Sequence, residues 1–412
     1  MKKRLTIALM LLITLGLFAQ TMIAPQGSGT EAAPYQIASW ENLNWLTSRD
    51  ANPAVPFLTR LGAYYIQTAD ITFPADITTW DDGQGFLPIG WGSLAETFAF
   101  AGNYDGQGHT ISNLHINRPD DDSVALFGLV ITGTIKNLGL VDVDIIGGWG
   151  VAGINGEMDT ESIVNNCFVT GSILGEVFVG GISAYNFESE INNCYFIGTL
   201  EGEEGVGGIA GINDAATITN SYVVATIEEG DYIGMLAGMA NGSIIHNSFW
   251  NSDLAGTYPG LGDDDENDII NSVGKTTAQL KTAATFTDAG WDFTDTWQID
   301  AQVNESYPSF IWQAASTDPV EIIAPTALTA TVSGQDVTLN WLAPGTVLPD
   351  EITEGFEESF PPTGWTTTVN NTTQSFAQYG TVAFSTGDVV PTEGAFQAGL
   401  MWDYAHQDEW LI

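Results

Sequence analysis

Residues 164–168 of this chain read VNNCF, and the phrase returns as INNCY at 191–195, ITNSY at 218–222 and IHNSF at 245–249. Each copy begins 27 residues after the one before it. Two looser copies precede them, ISNLH at 111–115 and IKNLG at 135–139. A fixed period of this length, built from short β-branched runs broken by Asn and Gly, is typical of a solenoid.

A second phrase keeps nearly the same period: VAGI at 151–154, VGGI at 179–182, VGGI at 206–209 and IGML at 233–236. The period suits one turn of a parallel β-helix with three strands of about five residues each. We therefore predict an all-β fold, a right-handed parallel β-helix with capped ends and an Ile/Val column inside. Asn tolerates the left-handed backbone of corners. The repeated Asn residues are predicted to share one corner: Asn113, Asn137, Asn166, Asn193, Asn220 and Asn247.

The two cysteines, Cys167 and Cys194, lie at equivalent places in consecutive repeats. Neighbouring strands are about 4.8 Å apart, so the two sulfurs are predicted to be stacked neighbours within disulfide distance. A metal site needs more ligands and thiol catalysis needs an adjacent base, so packing is the predicted role. Whether they bond is left open, because stacked parallel neighbours fit the disulfide torsion poorly.

Residues 1–19 have the pattern of an export signal, with Lys2, Lys3 and Arg4 before an apolar run and a cleavage site after Ala19. Removing these three of the nine basic residues leaves six against 51 acidic ones, a formal charge of −45. Such a surface repels phosphate backbones and anionic lipid. Nucleic acid and direct membrane insertion are therefore excluded as partners, and a monomer is expected.

Composition divides the rest of the chain. In residues 20–103 we predict an N-terminal cap with leading strands, including a short helix with Trp40, Leu43, Trp45 and Leu46 on one face. The regular repeats are assigned to 104–251, a segment closing the far end of the solenoid to 252–313, and a linker to 314–325. Alternating apolar residues in 326–350 predict the opening hairpin of a β-sandwich. Residues 351–412 are predicted to begin a further β-rich domain that is incomplete.

The pairing of I-x-N-C-Y with V-G-G-I resembles the GLUG-motif β-helix repeat of bacterial surface proteins, which also occurs beside immunoglobulin-cleaving proteases. Residues 325–344 resemble the first strands of a fibronectin type III domain. The segment EGFEESFPPTGW at 354–365 and the closing DEWLI resemble the edges of choice-of-anchor J or cleaved-adhesin jelly-roll domains. The combination implies a secreted or cell-surface protein, attached through a C-terminal region absent from this chain.

Three kinds of enzyme would each need a particular set of residues in this sequence. A zinc protease needs H-E-x-x-H, and none of the four histidines has that context, which leaves the chain at most a non-catalytic region of a larger secreted protease. A polysaccharide lyase needs basic residues, and the regular repeats contain only Arg118 and Lys136. A hydrolase needs paired carboxylates about 5–9 Å apart. The nearest candidates are Asp142 and Asp144, predicted to point the same way along one strand.

Calcium is the one ion for which the sequence offers ligands, because it prefers oxygen donors. The acidic runs Asp120-Asp121-Asp122 and 263–268 are candidates, and Asp263, Asp265 and Asn267 follow the start of a D-x-D-x-N loop. That loop lacks Gly at its sixth place and Glu at its twelfth, so a solvated acidic loop is the competing interpretation. No other cofactor is predicted.

The stacked aromatic row Tyr195, Tyr222 and Phe249 leaves one question open. Facing outward it would be a platform for sugar rings, and facing inward it would be core. The predicted function is a non-catalytic adhesin or scaffold, with the β-helix as a rigid spacer and a face for an extracellular glycan or a host or matrix protein. The alternative is a β-helix polysaccharide hydrolase or lyase.

Overall fold

A computed structural model describes residues 21–49, 55–92, 97–228, 230–265 and 268–313, and four later strands at 326–333, 336–342, 377–379 and 397–399. The predicted export signal and the linker 314–325 lie outside these residues. Tertiary contacts divide the chain into two compact units, Met1–Ser316 and Thr317–Ile412. The division falls inside the predicted linker.

The first unit is a parallel β-solenoid, as the repeats predict. Each regular turn contributes four strands, one more than expected, and equivalent strands of successive turns pair in parallel to form four ladders. Ladder 1 contains Ile163–Asn165, Glu190–Asn192, Thr217–Thr219, Ile244–His246 and Asp268–Ile270. Ladder 2 contains Phe168–Leu174, Tyr195–Glu201, Tyr222–Ile227, Phe249–Asn251 and Val273–Lys275.

The other two ladders complete each turn. Ladder 3 contains Trp149–Ala152, Val177–Gly180, Glu204–Gly207 and Asp231–Gly234. Ladder 4 contains Phe127–Ile131, Asn155–Asp159, Ser183–Phe187, Ala210–Asp214, Ala237–Asn241 and Leu261–Asp265. The long strand Thr134–Gly147 pairs with both ladder 1 and ladder 2 and so joins them into one sheet. The handedness of the winding stays a prediction.

The corner between ladders 1 and 2 is made by Asn. The backbone φ of Asn137, Asn166, Asn193, Asn220 and Asn247 lies between 49° and 53°, the left-handed region that Asn adopts more readily than most residues. Side-chain amides bridge some turns, as Asn166 Nδ2 donates to Asn137 Oδ1 at 3.1 Å. The shared corner is therefore confirmed for these five.

Asn113 is the exception, and its predicted place was wrong. Its neighbour Ser112 is the last residue of the strand Asn103–Ser112 and pairs with Val141. Asn113 is therefore next to Asp142 of the adjacent turn, which also has a left-handed backbone. The corner above Asn137 is instead made by Gly106 and Gln107, with a φ of 53° at Gln107. The phrase ISNLH copies the motif but occupies a different part of the turn.

One inward column runs the length of the solenoid. Strand pairing aligns Tyr35 with Tyr65, Tyr65 with Tyr104, and Tyr104 with Ile135. From there the column continues through residues that are fully buried: Val164, Ile191, Ile218 and Ile245. The winding thus begins near residue 35 and continues to the pairing of Ile245 with Ile269, so the predicted limits 104–251 were too narrow at both ends.

The row after the corner Asn is also interior. Cys167 and Cys194 are fully buried free thiols in adjacent turns, and burial raises the pKa of Cys194, as does its hydrogen bond with Cys167. The later turns carry Ser221 and Ser248 at this place. Their hydroxyls accept hydrogen bonds from the backbone N–H of the preceding turn, at 3.1 Å from Cys194 N and 3.2 Å from Ser221 N. Ser can therefore replace Cys in this buried row because its hydroxyl has a hydrogen-bond partner.

The N-terminal end is covered by helical structure. The helix Trp40–Thr47 places Leu43, Trp45 and Leu46 in the core, as its apolar face predicts. A second helix, Phe57–Leu61, buries Arg60, whose guanidinium donates to the carbonyls of Trp45 and Ser48. This segment also contains 3-10 turns at Ala75–Thr79 and Asp81–Gly83 and the leading strands Tyr35–Ile37, Tyr64–Gln67, Ile71–Thr72, Trp91–Gly92, Thr97–Phe98, Asn103–Ser112 and His115–Arg118.

The segment after the last turn, residues 277–313, packs along the side of ladder 2. The expectation that it closes the far end of the solenoid was wrong. This segment contains helices Thr277–Leu280 and Ala283–Thr287, the 3-10 turn Asn304–Ser306, and the antiparallel strands Trp297–Gln298 and Ser309–Phe310. At the far end, Ile269 is 43% exposed whereas Ile245 one turn earlier is fully buried. We call residues 277–313 the covering segment.

In the second unit, Thr326–Ser333 pairs antiparallel with Asp336–Leu342, the hairpin that alternation predicts. Ala377–Tyr379 pairs with Gln397–Gly399. The rest of the predicted fibronectin-like segment, 326–350, and of the predicted jelly-roll start, 351–412, lies outside the described residues, so both identities stay predictions.

Candidate functional site

The aromatic row of ladder 2 points away from the solenoid interior yet is buried. Phe168, Tyr195, Tyr222 and Phe249 alternate with core residues such as Val169 and Phe196, so they lie on the outer face of the strands. Their exposed fractions are 4% or less. The ring centroid of Tyr195 is 4.9 Å from that of Phe168 and 4.9 Å from that of Tyr222. The two alternatives, platform or core, are thus both incomplete: the row forms a second, outer core.

The covering segment supplies the other side of that core. Phe286 and Trp291 contact Phe249, Trp297 contacts Tyr222, and Phe310 and Trp312 contact Phe168. The Tyr222 hydroxyl donates to the Pro308 carbonyl at 2.6 Å, and the Tyr195 hydroxyl donates to Gln313 Oε1 at 3.1 Å. Burial raises the pKa of both tyrosines. The row is therefore closed to a sugar ring.

The carboxylate pair that a hydrolase would need lies at an irregular place in the long strand. Asp142 has a φ of 53° and interrupts the strand register, so its side chain does not follow the simple alternation that would set it beside Asp144. Asp144 accepts a hydrogen bond from His115 Nδ1 at 2.8 Å. One carboxylate is thus held by a histidine while the other lies on a backbone irregularity, and both residues are exposed to solvent.

The row that contains Asp144 also fails as a nucleophile site. Strand pairing orders it His115, Asp144, Ser172 and Thr199, one residue per turn. Activation of a serine requires the histidine beside the hydroxyl and the carboxylate behind the histidine. Here the carboxylate stands between the two, and Ser172 instead accepts from Thr199 Oγ1 at 3.2 Å.

The calcium candidates are only partly described. Asp263 is exposed on Leu261–Asp265, whereas the side chain of Asp265 and the whole of Asn267 lie outside the described residues. Among the side chains that are described, no group of three or more His, Cys, Asp or Glu is arranged to hold a metal ion. Calcium therefore stays a proposal for this loop.

A different set of aromatic residues is open to solvent, on ladders 3 and 4. We call Trp149, Phe178, Tyr185 and Phe187 the aromatic strip; all four side chains are half-buried. Ring centroids are 5.4 Å apart for Trp149 and Phe178, 6.0 Å for Trp149 and Tyr185, and 6.1 Å for Phe178 and Tyr185. The rings of Tyr185 and Phe187 are parallel within 12°. The strip is a continuous aromatic surface over two turns.

Phe178 joins this surface with a left-handed backbone conformation. Gly150, Phe178, Gly205 and Tyr232 occupy one place in successive turns of ladder 3, and all have a φ between 54° and 72°. A left-handed φ is an outlier for a bulky side chain. The Phe178 ring lies over Gly205, where an added Cβ would be 2.6 Å from Phe178 Cδ1. Glycine at 205 therefore leaves the space that the ring fills.

Carboxylates border the strip on ladder 4. Glu157 pairs in register with Tyr185, and Asp214 with Phe187. Burial raises the pKa of Glu157, as does the neighbouring Asp159, while a hydrogen bond from Ser123 opposes the shift. Burial also raises the pKa of Tyr185, whose hydroxyl donates to Asp214. The border consists of hydrogen-bond acceptors with partial desolvation.

The sequence contained a signal for this strip. The buried residues of Ser183–Phe187 place Ala184 and Asn186 inward, so alternation puts Tyr185 and Phe187 outward. Extending the phrase VGGI by five residues would have identified both. Trp149 and Phe178 carry no such signal, because their direction depends on the left-handed row.

Parts of the chain are similar to a known sequence motif and to known proteins. Residues 202–228, one full period of the repeat, match the GLUG motif. Halomucin from Haloquadratum walsbyi (strain DSM 16790 / HBSQ001) is 36% identical over 158 residues, which are 38% of this chain and 2% of halomucin. An IgA1 protease structure aligns with a TM-score of 0.37 and 16% identity over 58% of this chain and 20% of that one. A likeness that low carries no argument about activity.

No helix among the described residues is both long and apolar enough to cross a membrane. The observations together are those of a parallel β-solenoid in which one turn matches the GLUG motif, with one aromatic surface covered and one half exposed.

Proposed function

We propose that the chain is a non-catalytic, exported surface protein in which the solenoid is a rigid spacer and scaffold for adhesion to an extracellular glycan or a host or matrix protein. The observation that carries the proposal is the continuous parallel pairing, from Tyr35 to Lys275, of the sheet that contains ladders 1 and 2. Stacking of one turn on the next makes an elongated rod in which each turn pairs with its neighbours. Such a rod holds a binding surface at a distance from its point of attachment.

Three further features support this function. The match to the GLUG motif and the likeness to halomucin support a surface protein. The N-terminal sequence has the pattern of an export signal. In the row His115, Asp144, Ser172 and Thr199, the carboxylate lies between the histidine and the serine, an order that does not activate the serine hydroxyl.

Two experiments test the proposal. Antibodies against the solenoid should label intact cells of the producing organism, and labelling only after permeabilisation would contradict surface display. Purified protein should retain ligands from a panel of neutral and acidic polysaccharides without releasing oligosaccharides, with calcium present or absent. Release of oligosaccharides that is abolished by Asp142→Asn or Asp144→Asn would instead establish a β-helix hydrolase.

A further inference from the structure

We infer that the aromatic strip is a binding site for neutral glycans, in which hexose rings stack on Trp149 and Tyr185 and their hydroxyls donate to the bordering carboxylates. The inference deepens the proposed function, since it identifies the adhesive surface and the class of ligand. Its starting point is the contrast with ladder 2. Among the residues that the structure describes, the covering segment packs on the aromatic row of ladder 2, while the side chains of the aromatic strip remain half exposed.

The ring geometry favours a ligand that stacks on the outside of single rings, since the planes of Trp149 and Tyr185 are inclined by 41°. Aromatic centroids 5.4–6.1 Å apart are in mutual contact, so no space is left between them for a methylammonium group of the kind that aromatic cages enclose. What remains accessible is the outer surface of the rings. The parallel planes of Tyr185 and Phe187 extend that surface along the strand. A pyranose ring presents a flat apolar face of C–H groups to such a platform.

The charges decide between kinds of glycan. Glu157, Asp159 and Asp214 act on Tyr185 through their charges, and carboxylates accept hydrogen bonds from hydroxyl donors. The same charges repel uronic acids and sulfated sugars, as does the excess of 51 acidic over nine basic residues in the whole chain. The ligand that satisfies both the rings and the border is therefore uncharged and rich in hydroxyls.

Strain in the strip is the independent support. Left-handed backbone at a phenylalanine is strained and persists only where the surrounding structure holds it. At the same place in the turns on either side the chain uses Gly150 and Gly205. An aromatic ring at 178 is thus retained against the local backbone preference, and the space that it fills over Gly205 makes the platform continuous.

The test is affinity electrophoresis of the full chain in native gels that contain a soluble β-glucan, a mannan or a galactan, with polygalacturonate and oligo-arginine as further probes. At least one neutral polysaccharide should retard the protein. Trp149→Ala and Tyr185→Ala should each weaken that binding about tenfold, while Trp149→Phe and Tyr185→Phe should keep most of it because the rings remain. Tyr258→Ala, a half-buried aromatic outside the strip, is the matched control and should bind like wild type.

Thermal unfolding of each variant separates loss of binding from loss of fold. Retardation by no neutral polysaccharide, or retardation unaffected by Trp149→Ala and Tyr185→Ala in folded protein, would overturn the inference. Binding of oligo-arginine that disappears with Glu157→Gln, without any glycan binding, would assign the strip to a cationic partner and overturn it too. Failure of surface labelling or release of oligosaccharide would refute the proposed function and leave the strip result standing by itself.

Discussion

The two aromatic surfaces of this solenoid begin alike and end differently. Both are built from aromatic side chains on the outer face of stacked strands, one on ladder 2 and one on ladders 3 and 4. The ladder 2 row repeats every 27 residues and is buried by the covering segment, whereas the aromatic strip is irregular and half exposed.

The comparison shows that outward direction and exposure are separate properties. Strand alternation decides the direction of a side chain within one turn. Exposure depends on whether a distant segment, here residues 277–313, packs on that face. Three substitutions separate these contributions, from the interior outward.

Ile218→Asp should have the largest effect. Ile218 is fully buried in the inward column, and an unpaired carboxylate there has no polar partner, so the free energy of unfolding should fall by at least about 4 kcal/mol. Thr219→Asp, one residue along and half-exposed, should change it by about 0.5 kcal/mol. Chemical denaturation of both variants measures the difference. Equal losses would show that the inward column is misassigned.

Tyr222→Ala should have the next largest effect, because it opens the outer core. A fully buried aromatic truncated to alanine typically loses about 3–5 kcal/mol, and here two hydrogen bonds, to Pro308 and from Asn304, are lost as well. Tyr185→Ala on the half-exposed strip should lose about 1 kcal/mol. Similar losses for the two variants would mean that the covering segment does not stabilise the row.

Glu157→Gln should have a small effect of opposite sign. Because burial raises its pKa, folded protein binds a proton at Glu157 over a range where the unfolded chain has released it. Stability therefore falls as pH rises from the usual carboxyl pKa through the raised one. The variant should raise the melting temperature at pH 7 by on the order of 1 °C, with no gain near pH 4.

Asp263→Asn is the matched control for that measurement, since Asp263 is an exposed carboxylate on the same ladder. It removes a carboxylate that is not buried, so at pH 7 it should raise the melting temperature by less than Glu157→Gln does. A lower melting temperature for Glu157→Gln at pH 7 would show that the charge of Glu157 stabilises the folded protein, and the desolvation argument would then be wrong.

Much of the architecture was predictable from the repeat itself. The period of 27 residues identifies the solenoid, the inward Ile/Val column and the corner Asn residues, because each depends on contacts between equivalent places in adjacent turns. The start of the winding was missed because Tyr35, Tyr65 and Tyr104 fill the column with aromatic side chains that do not match the motif. The column tolerates them where the turns are irregular.

The site was harder to predict, for a physical reason. The burial of Tyr195 and Tyr222 depends on the covering segment, in which Gln313 and Pro308 accept their hydrogen bonds across 118 and 86 residues of sequence. The direction of Phe178 depended on a backbone conformation that its residue type disfavours. Neither contact between distant segments nor local strain leaves a periodic trace.

The covering segment also bears on how such a rod can change in length. Repeats in exact register can be duplicated or lost one turn at a time, and each event alters the length by about 4.8 Å without changing the cross-section. Residues 277–313 reach from Phe249 back to Phe168 and match the turns between them ring against ring. The covering segment therefore fixes the number of turns in that part of the rod, because a turn gained or lost there would leave aromatic residues without partners. Evolutionary change in the length of the solenoid should therefore concentrate in turns that the covering segment does not contact.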